Sequence, residues 1–187
     1  MIISTEDIKW PRVTFDDIEP RQPGLHLGDV IRSLSETLGT NPGRKGGGGF
    51  QDMKLTAEIG LLWEDMLSLI MGQRYAMRPS QMVRDGIWMS PDGIGYDPDG
   101  QYPMAVEEYK ATWQSTRRCP SENWRYMTQV KSYCRAVGTP CAIMRIFYIM
   151  GDYKGSGPIY RVSRIVFDPR ELEDNWRMIV RHAEGMK

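Results

Sequence analysis

The sequence predicts an α/β (α+β) domain, and three observations carry that expectation. Segments of helical and strand period follow one another in the order helix, helix, hairpin, helix, strand, strand, helix. The run "CAIMRIFYIM" at 141–150 is apolar almost throughout, the pattern of a strand covered on both faces. At 187 residues, 41% hydrophobic and 26% charged, the chain has the size and composition of one globular domain able to bury a real core. No internal repeat or linker divides it, so residues 1–187 are read as a single unit.

Residues 1–25 are rich in proline and acids and are expected to be irregular. In "HLGDVIRSLSETLG", Val30, Ile31, Leu34 and Leu38 recur at helical spacing and Gly39 provides a stop. The stretch 40–50, "TNPGRKGGGGF", strings glycines and basic residues together without period. Its plain reading is a mobile loop; its functional reading is a loop that orders around substrate through Arg44 and Lys45. From Leu55 to Met71 a strong amphipathic helix is expected, with Ile59, Leu62, Trp63, Met66, Leu67 and Ile70 on its apolar stripe and Glu64 at the edge. Next, "DGIWMSPDGIGYD" and "QYPMAVEEYKATW" flank Pro98-Asp99-Gly100, which reads as a hairpin with a three-residue turn. A helix capped by Ser121 and stopped by Gly138 would place Tyr126, Gln129, Tyr133 and Val137 on one side. Two strands, "CAIMRIFYIM" and "IYRVSRIVF", follow around the turn "GDYKGSGP". Asp168, Pro169 and Glu171 then supply a cap, an N1 proline and a box acid for a last helix with Leu172, Trp176, Ile179 and Val180 inward.

Composition narrows the chemistry. No apolar run approaches the length that spans a bilayer, so membrane roles are set aside. The start "MIISTEDIKW" lacks the basic and apolar regions of a secretion signal, and a cytoplasmic protein is expected. Three cysteines without a CxxC argue against a disulfide framework or a zinc ribbon. Only two histidines are present, His26 and His182, at opposite ends of the chain, which leaves carboxylates and lysine to carry any catalysis. Formal net charge is zero, so a polyanion would have to be met by a local patch.

The charges of the hairpin supply a candidate site. With a three-residue turn Asp97 opposes Gln101 and Asp92 opposes Val106; alternation then puts Asp92, Val106, Glu108 and Lys110 on one face, Glu107 and Tyr109 on the other. Diagonal neighbours on one face lie roughly 7–8 Å apart, a gap that two carboxylates can close around one divalent cation. Oxygen ligands without His or Cys favour Mg²⁺ or Mn²⁺, and such a site suits phosphodiester hydrolysis, with lysine orienting water or holding the phosphate. Each residue alone has a plain reading: a solvated Glu-Lys pair, a turn aspartate, an exposed helical glutamate. The combination is what is specific.

These residues carry a family resemblance. "GLLWE" on a helix, "SPDG", "EEYK" on a strand and "QVKSY" on a second helix occur in order from Gly60 to Tyr133. The set resembles the PD-(D/E)xK nucleases, in particular the branch of lambda exonuclease and the YqaJ-type viral recombination nucleases, related to the RecB and Cas4 nuclease domains. The resemblance implies a restriction-endonuclease-like core, a central mixed β-sheet flanked by helices. It implies that Asp92 and Glu108 are metal ligands with the Tyr109 carbonyl as another, that Lys110 is the catalytic lysine, and that Glu64 is the helical acid. Gln129 and Tyr133 match the Q-x-x-x-Y motif, whose glutamine contacts active-site groups or the DNA end. Mg²⁺, with Mn²⁺ able to substitute, is the implied cofactor. Iron–sulfur relatives use four cysteines, one upstream of the site; here the first of three is Cys119, so no cluster is expected.

The implied function is a phage-encoded DNA exonuclease that works from duplex ends, in recombination or repair, and leaves a single strand for an annealing protein. Phosphate contacts are expected from Arg117, Arg118, Arg125, Lys131 and Arg135, and a 5′ phosphate from Arg44 and Lys45. Relatives of the lambda type form rings, which makes a homo-oligomer a further expectation. A structure-specific or restriction-like endonuclease is the alternative, and an inactive DNA-binding module the alternative of another class.

Overall fold

The computed structural model describes residues 21–40, 50–72, 76–155 and 157–186, with side chains described from residue 59 onward in the helix that starts at 50. The expectations for residues 1–20 and for the loop carrying Arg44 and Lys45 fall outside the described residues.

In chain order the elements are β1 (Leu25–His26), α1 (Leu27–Thr37), α2 (Phe50–Gly72), β2 (Ala76–Met77), β3 (Met82–Arg84), β4 (Ile87–Met89), β5 (Gly93–Gly95), β6 (Ala105–Thr112), α3 (Trp124–Val137), β7 (Cys141–Tyr148), β8 (Ile159–Val166) and α4 (Pro169–Glu184). Strands β2-β5-β6-β7-β8 form a five-stranded sheet and β1-β4-β3 a smaller one. Both are mixed: β6 runs parallel to β7, and β1 to β4, among otherwise antiparallel pairs. The α+β class with a mixed sheet flanked by helices is therefore what the chain adopts. The parallel step from β6 to β7 needs a crossover, and α3 is that crossover.

The core lies mainly on one side of the large sheet. Val106, Ala142, Met144, Ile146 and Tyr148 pack there with Val30, Ile31 and Leu34 of α1, Val130, Tyr133 and Cys134 of α3, and Leu172, Trp176 and Ile179 of α4. A smaller cluster joins Leu67 and Met71 of α2 to Ala76 and Tyr109. Strand β7 is buried nearly throughout, in keeping with its continuous apolar run. The end of α4 predicted from Asp168, Pro169 and Glu171 is present as a full capping box. Of the four residues expected inward on α4, Leu172, Trp176 and Ile179 are buried and Val180 is half-buried.

Four local expectations are corrected. The first helix buries Val30, Ile31 and Leu34, but Leu38 is its exposed C-cap. Among the described side chains of α2 a narrow strip packs: Leu67 and Met71 are buried and Trp63 stacks on Phe147 at 4.7 Å, whereas Leu62, Met66 and Ile70 stay 47%, 45% and 52% exposed. The cause is that Leu61 and Leu69 spread the apolar residues around the helix, so its period does not single out one face. The N-cap of α3 is Asn123, whose side chain accepts the Tyr126 N–H, while Ser121 lies in a preceding 3₁₀ turn.

The hairpin is the largest correction. The segment expected as one strand is broken at Ser90-Pro91-Asp92 into β4 and β5, which belong to different sheets. Strand β4 has its own hairpin partner, β3, across Asp85-Gly86, where φ values of 50° and 75° make the left-handed turn that Asp-Gly favours. Between β5 and β6 the register pairs Gly95 with Ala105, Ile94 with Val106 and Gly93 with Glu107. The connection is thus the loop 96–104 instead of three residues, and the register differs from the expected one by two. A shift of two preserves the alternation, so every side chain keeps its expected face. Gly93 keeps this spot uncrowded: a Cβ there would lie 3.1 Å from the Tyr109 hydroxyl and 3.2 Å from the Glu107 Cβ, closer than ordinary contact.

Candidate active site

Strand β6 buries both of its glutamates, Glu107 at 2% exposure and Glu108 at 0%. Buried carboxylates need partners, and the two find different ones on opposite faces of the sheet. Glu107 accepts a bidentate pair from Arg145 of β7, Nε to Oε2 at 2.7 Å and Nη2 to Oε1 at 3.0 Å. Its charge is thereby matched within the sheet.

Glu108 sits where the sheet is incomplete. Strand β5 accompanies β6 only as far as Glu107, so beyond it no strand among the described residues lies on that side. Asp92, just ahead of β5, fills part of the gap: its Oδ2 accepts the Tyr109 N–H at 2.7 Å, a donor that a longer β5 would have taken. Lys110 Nζ lies 2.5 Å from Glu108 Oε1, 3.5 Å from Glu64 Oε1 of α2 and 4.0 Å from Asp92 Oδ2. The ammonium also donates to the Tyr109 carbonyl at 3.2 Å. Three carboxylates from a loop, a strand and a helix thus converge on one lysine, and the Tyr109 carbonyl faces the same point.

Around the cluster, α3 contributes Tyr133 and Gln129. The i, i+4 spacing lets the Gln129 Nε2 donate to the Tyr133 hydroxyl at 2.9 Å. Burial, with Glu108 and Asp92 nearby, holds the Tyr133 phenol neutral, well above its usual range.

Electrostatically the site carries more negative groups than it can satisfy. Burial pushes Glu108 up to about 8 even with Lys110 beside it, and burial likewise pushes Glu64 up to about 7. Burial opposes the charge on Lys110 too, but Glu108, Asp92 and Glu64 outweigh it and keep the amine protonated well above its ordinary range. Neither Glu108 oxygen has a well-directed hydrogen bond among the described residues, despite the close approach of the ammonium. As placed, no three His, Cys, Asp or Glu side chains among the described residues gather closely enough to hold an ion, because Lys110 occupies the space between them. The donor set itself, three carboxylates and a carbonyl with surplus negative charge, fits a hard divalent cation.

The expected DNA-contact residues separate into two groups. Arg117 and Arg118 are exposed on the segment just past β6. Lys131 pairs with Glu171 at 3.1 Å and Arg135 with Glu173 at 2.7 Å, tying α3 to α4. Arg125 turns inward, its Nε bonded to Ser35 Oγ of α1 at 3.0 Å. Among the thiols, Cys134 and Cys141 are buried in the core and Cys119 is exposed.

Two features lay beyond the sequence reading. Asp97, expected as a simple strand partner of Gln101, anchors loop 96–104: Arg164 of β8 reaches it at 2.7 and 2.9 Å, and it accepts the Tyr102 N–H at 3.0 Å. In addition, a cavity of about 570 Å³ opens where β6 ends, lined among others by Thr112, Trp113, Gln114, Arg118, Tyr126 and Tyr153.

No protein-family model matches the chain. No curated protein matches it either. Among solved structures it is similar to the protein SSO0001, at 11% identity and a TM-score of 0.51 over 88% of this chain and 79% of that one. That likeness shows a shared fold. A phage-related exonuclease from Haemophilus somnus 129PT aligns at 13% identity and a TM-score of 0.48, over 85% of this chain and 79% of that one. Among the described residues, no helix is long and apolar enough to cross a membrane.

Proposed function

We propose that the chain is a metal-dependent deoxyribonuclease of the PD-(D/E)xK kind that hydrolyses phosphodiester bonds from duplex DNA ends. The observation that carries this reading is the convergence of Glu64, Asp92 and Glu108 on Lys110 at the open side of β6, with both Glu108 oxygens buried and lacking directed donors. Such an arrangement is costly as a structural ion pair and reasonable as a site kept ready for a cation and a phosphate.

Asp92, Glu108, the Tyr109 carbonyl and Glu64 would hold Mg²⁺, or Mn²⁺ in its place, and the ion would supply water activation and neutralisation of the charge that grows on the phosphate. The rest falls to the side chains. Lys110, kept as an ammonium, is a charged donor for a non-bridging phosphate oxygen as attack by water pushes out the 3′ oxygen. Asp92 fixes its own orientation through the Tyr109 N–H. Gln129, steadied by Tyr133, presents an amide at the rim of the site, where it can contact the substrate strand. Arg117 and Arg118 supply the cationic surface that zero net charge does not. Recognition of a 5′ phosphate by Arg44 and Lys45, assembly with further copies or with a strand-annealing protein, and a phage recombination or repair role in the host cytoplasm complete the proposal; these rest on the motif resemblance alone.

Incubation of linear and covalently closed plasmid with Mg²⁺ and with EDTA tests it. Progressive loss of the linear form in Mg²⁺ alone is expected. Prompt cutting of closed circles would move the reading to an endonuclease, and cleavage undiminished in EDTA would reject the mechanism.

A further inference from the structure

The oxygen donors proposed for the cation are the same ones that surround the Lys110 ammonium. Its Nζ lies 2.5 Å from Glu108 Oε1, 3.2 Å from the Tyr109 carbonyl, 3.5 Å from Glu64 Oε1 and 4.0 Å from Asp92 Oδ2. An ammonium and a hard divalent ion seek the same partners, but the two cannot share one point. Mg²⁺ needs its oxygens at about 2.0–2.1 Å, closer than any of them stands to Nζ. The donors therefore cannot close on an ion while the ammonium stands between them. Access leads to the same place. The Glu108 side chain is 0% exposed and Asp92 9%, against 15% for Lys110 and 25% for Glu64. An ion from solvent thus meets Glu64 and the Lys110 stem before it reaches Glu108.

Lys110 is the member of this cluster best able to leave. Its stem is long and freely rotatable, and no strand among the described residues flanks β6 beyond Glu107 to confine it. A purely structural ion pair is a poor account of the cluster, because one ammonium faces three carboxylates and a buried charge group left out of balance is costly. We propose that Lys110 is a built-in counter-cation that holds the place of the ion: its ammonium keeps Glu64, Asp92 and Glu108 together, must swing out before a divalent ion can bind, and so sets how tightly the site takes its metal. The inference rests on the nuclease reading for its donor set and gives Lys110 a second role beside the one at the phosphate. Once released from Glu108, the same ammonium is free to meet a phosphate oxygen.

Mn²⁺ binding without DNA tests this apart from catalysis. Free Mn²⁺, counted by its electron paramagnetic resonance signal, gives the Kd of the parent, of Lys110→Met and of Glu108→Gln. A Lys110→Met protein of native circular dichroism, which keeps the stem and loses the charge, should bind Mn²⁺ at least about tenfold more tightly than the parent, since a like charge a few ångströms from an ion opposes its binding on at least that scale. Glu108→Gln should bind more weakly than the parent, as a ligand of the same ion must. A second measurement needs no variant. Brief acetylation of the parent, read by mass spectrometry, should label the Lys110 amine slowly in EDTA and at least several-fold faster in saturating Mn²⁺, once the amine has left the carboxylates. Equal or weaker Mn²⁺ binding by natively folded Lys110→Met, or labelling of Lys110 that does not rise with the ion, overturns the inference while the nuclease reading stands. A parent that passes both tests and cleaves no DNA in Mg²⁺ overturns the nuclease reading alone, and absence of Mn²⁺ binding by parent and Lys110→Met alike overturns both.

Discussion

Two adjacent glutamates on β6 have opposite fates: Glu107 is paired within the sheet and Glu108 faces Lys110. Glu108→Gln keeps the shape of the side chain and removes the charge that faces Lys110, so cleavage should fall by at least about 10²-fold, the scale of losing one electrostatic catalytic group. Folding should survive, because Glu64 and Asp92 still face the Lys110 ammonium once the Glu108 charge is gone. Glu107→Gln breaks the bidentate pair with Arg145 and should cost about 1–3 kcal/mol of stability, while cleavage stays within several-fold of the parent. Melting curves and initial rates on the two variants check both halves. pH adds a second prediction. Glu64 and Glu108 are raised in the folded protein above their ordinary carboxylate values, so the native state binds more protons than the unfolded chain between about pH 4.5 and 8. In EDTA, the protein should therefore lose stability as pH rises through that window, and a double Glu64→Gln, Glu108→Gln variant should show a flatter dependence. Thermal midpoints from pH 5 to 8 measure this, and Mg²⁺ should flatten the curve of the parent. Which acids share a face was legible in the sequence, since strict alternation along a strand decides it. The fate of Lys131 and Arg135 was not, because it depends on where α4 packs.

At the scale of elements, the connection between β5 and β6 shows where sequence reasoning stops. Pro98-Asp99-Gly100 resembles a tight turn, but Asp97 bonds its own loop and Arg164, a partner 67 positions away, and the connection becomes 96–104. Local turn chemistry could not reveal a long-range anchor. The Asp85-Gly86 turn, by contrast, has a plain Asp-Gly signal between apolar runs, which the reading of 85–97 as one hairpin strand passed over. On α2, apolar residues on every side made the existence of the helix clear and its buried face obscure. The anchor carries a prediction of its own: Arg164→Gln should release the loop and raise the rate of limited proteolysis within 98–103 several-fold. Because the hydrogen bonds from Arg164 hold the Asp97 carboxyl well below the usual range, the stability that Asp97 contributes is present near neutrality and lost as pH falls below the ordinary carboxylate range. The variant should therefore lose less stability on acidification than the parent. An unchanged digestion pattern would show that the loop holds without this pair.

For the whole molecule, the architecture follows from the parallel pairing of β6 and β7 across α3, which places a short β5 beside a long β6 and leaves one side of the long strand open. The gap gathers an acid from the loop before β5, an acid and a lysine from β6 and an acid from α2, and it puts the aromatic cavity directly downstream. The order of elements made the fold class legible, and the spacing of the motifs made the acid and lysine set legible; the cavity was not, because its walls come from 111–115, Arg118, Tyr126 and Tyr153. The most direct measurement of the central claim is cleavage of a labelled linear duplex by the parent and by Lys110→Met across a Mg²⁺ titration, with DNA binding followed in parallel. The parent should cleave in proportion to bound Mg²⁺ and stop in EDTA, while Lys110→Met should bind DNA comparably and cleave at least about 10²-fold more slowly. A Lys110→Met protein that cleaves like the parent would contradict the account.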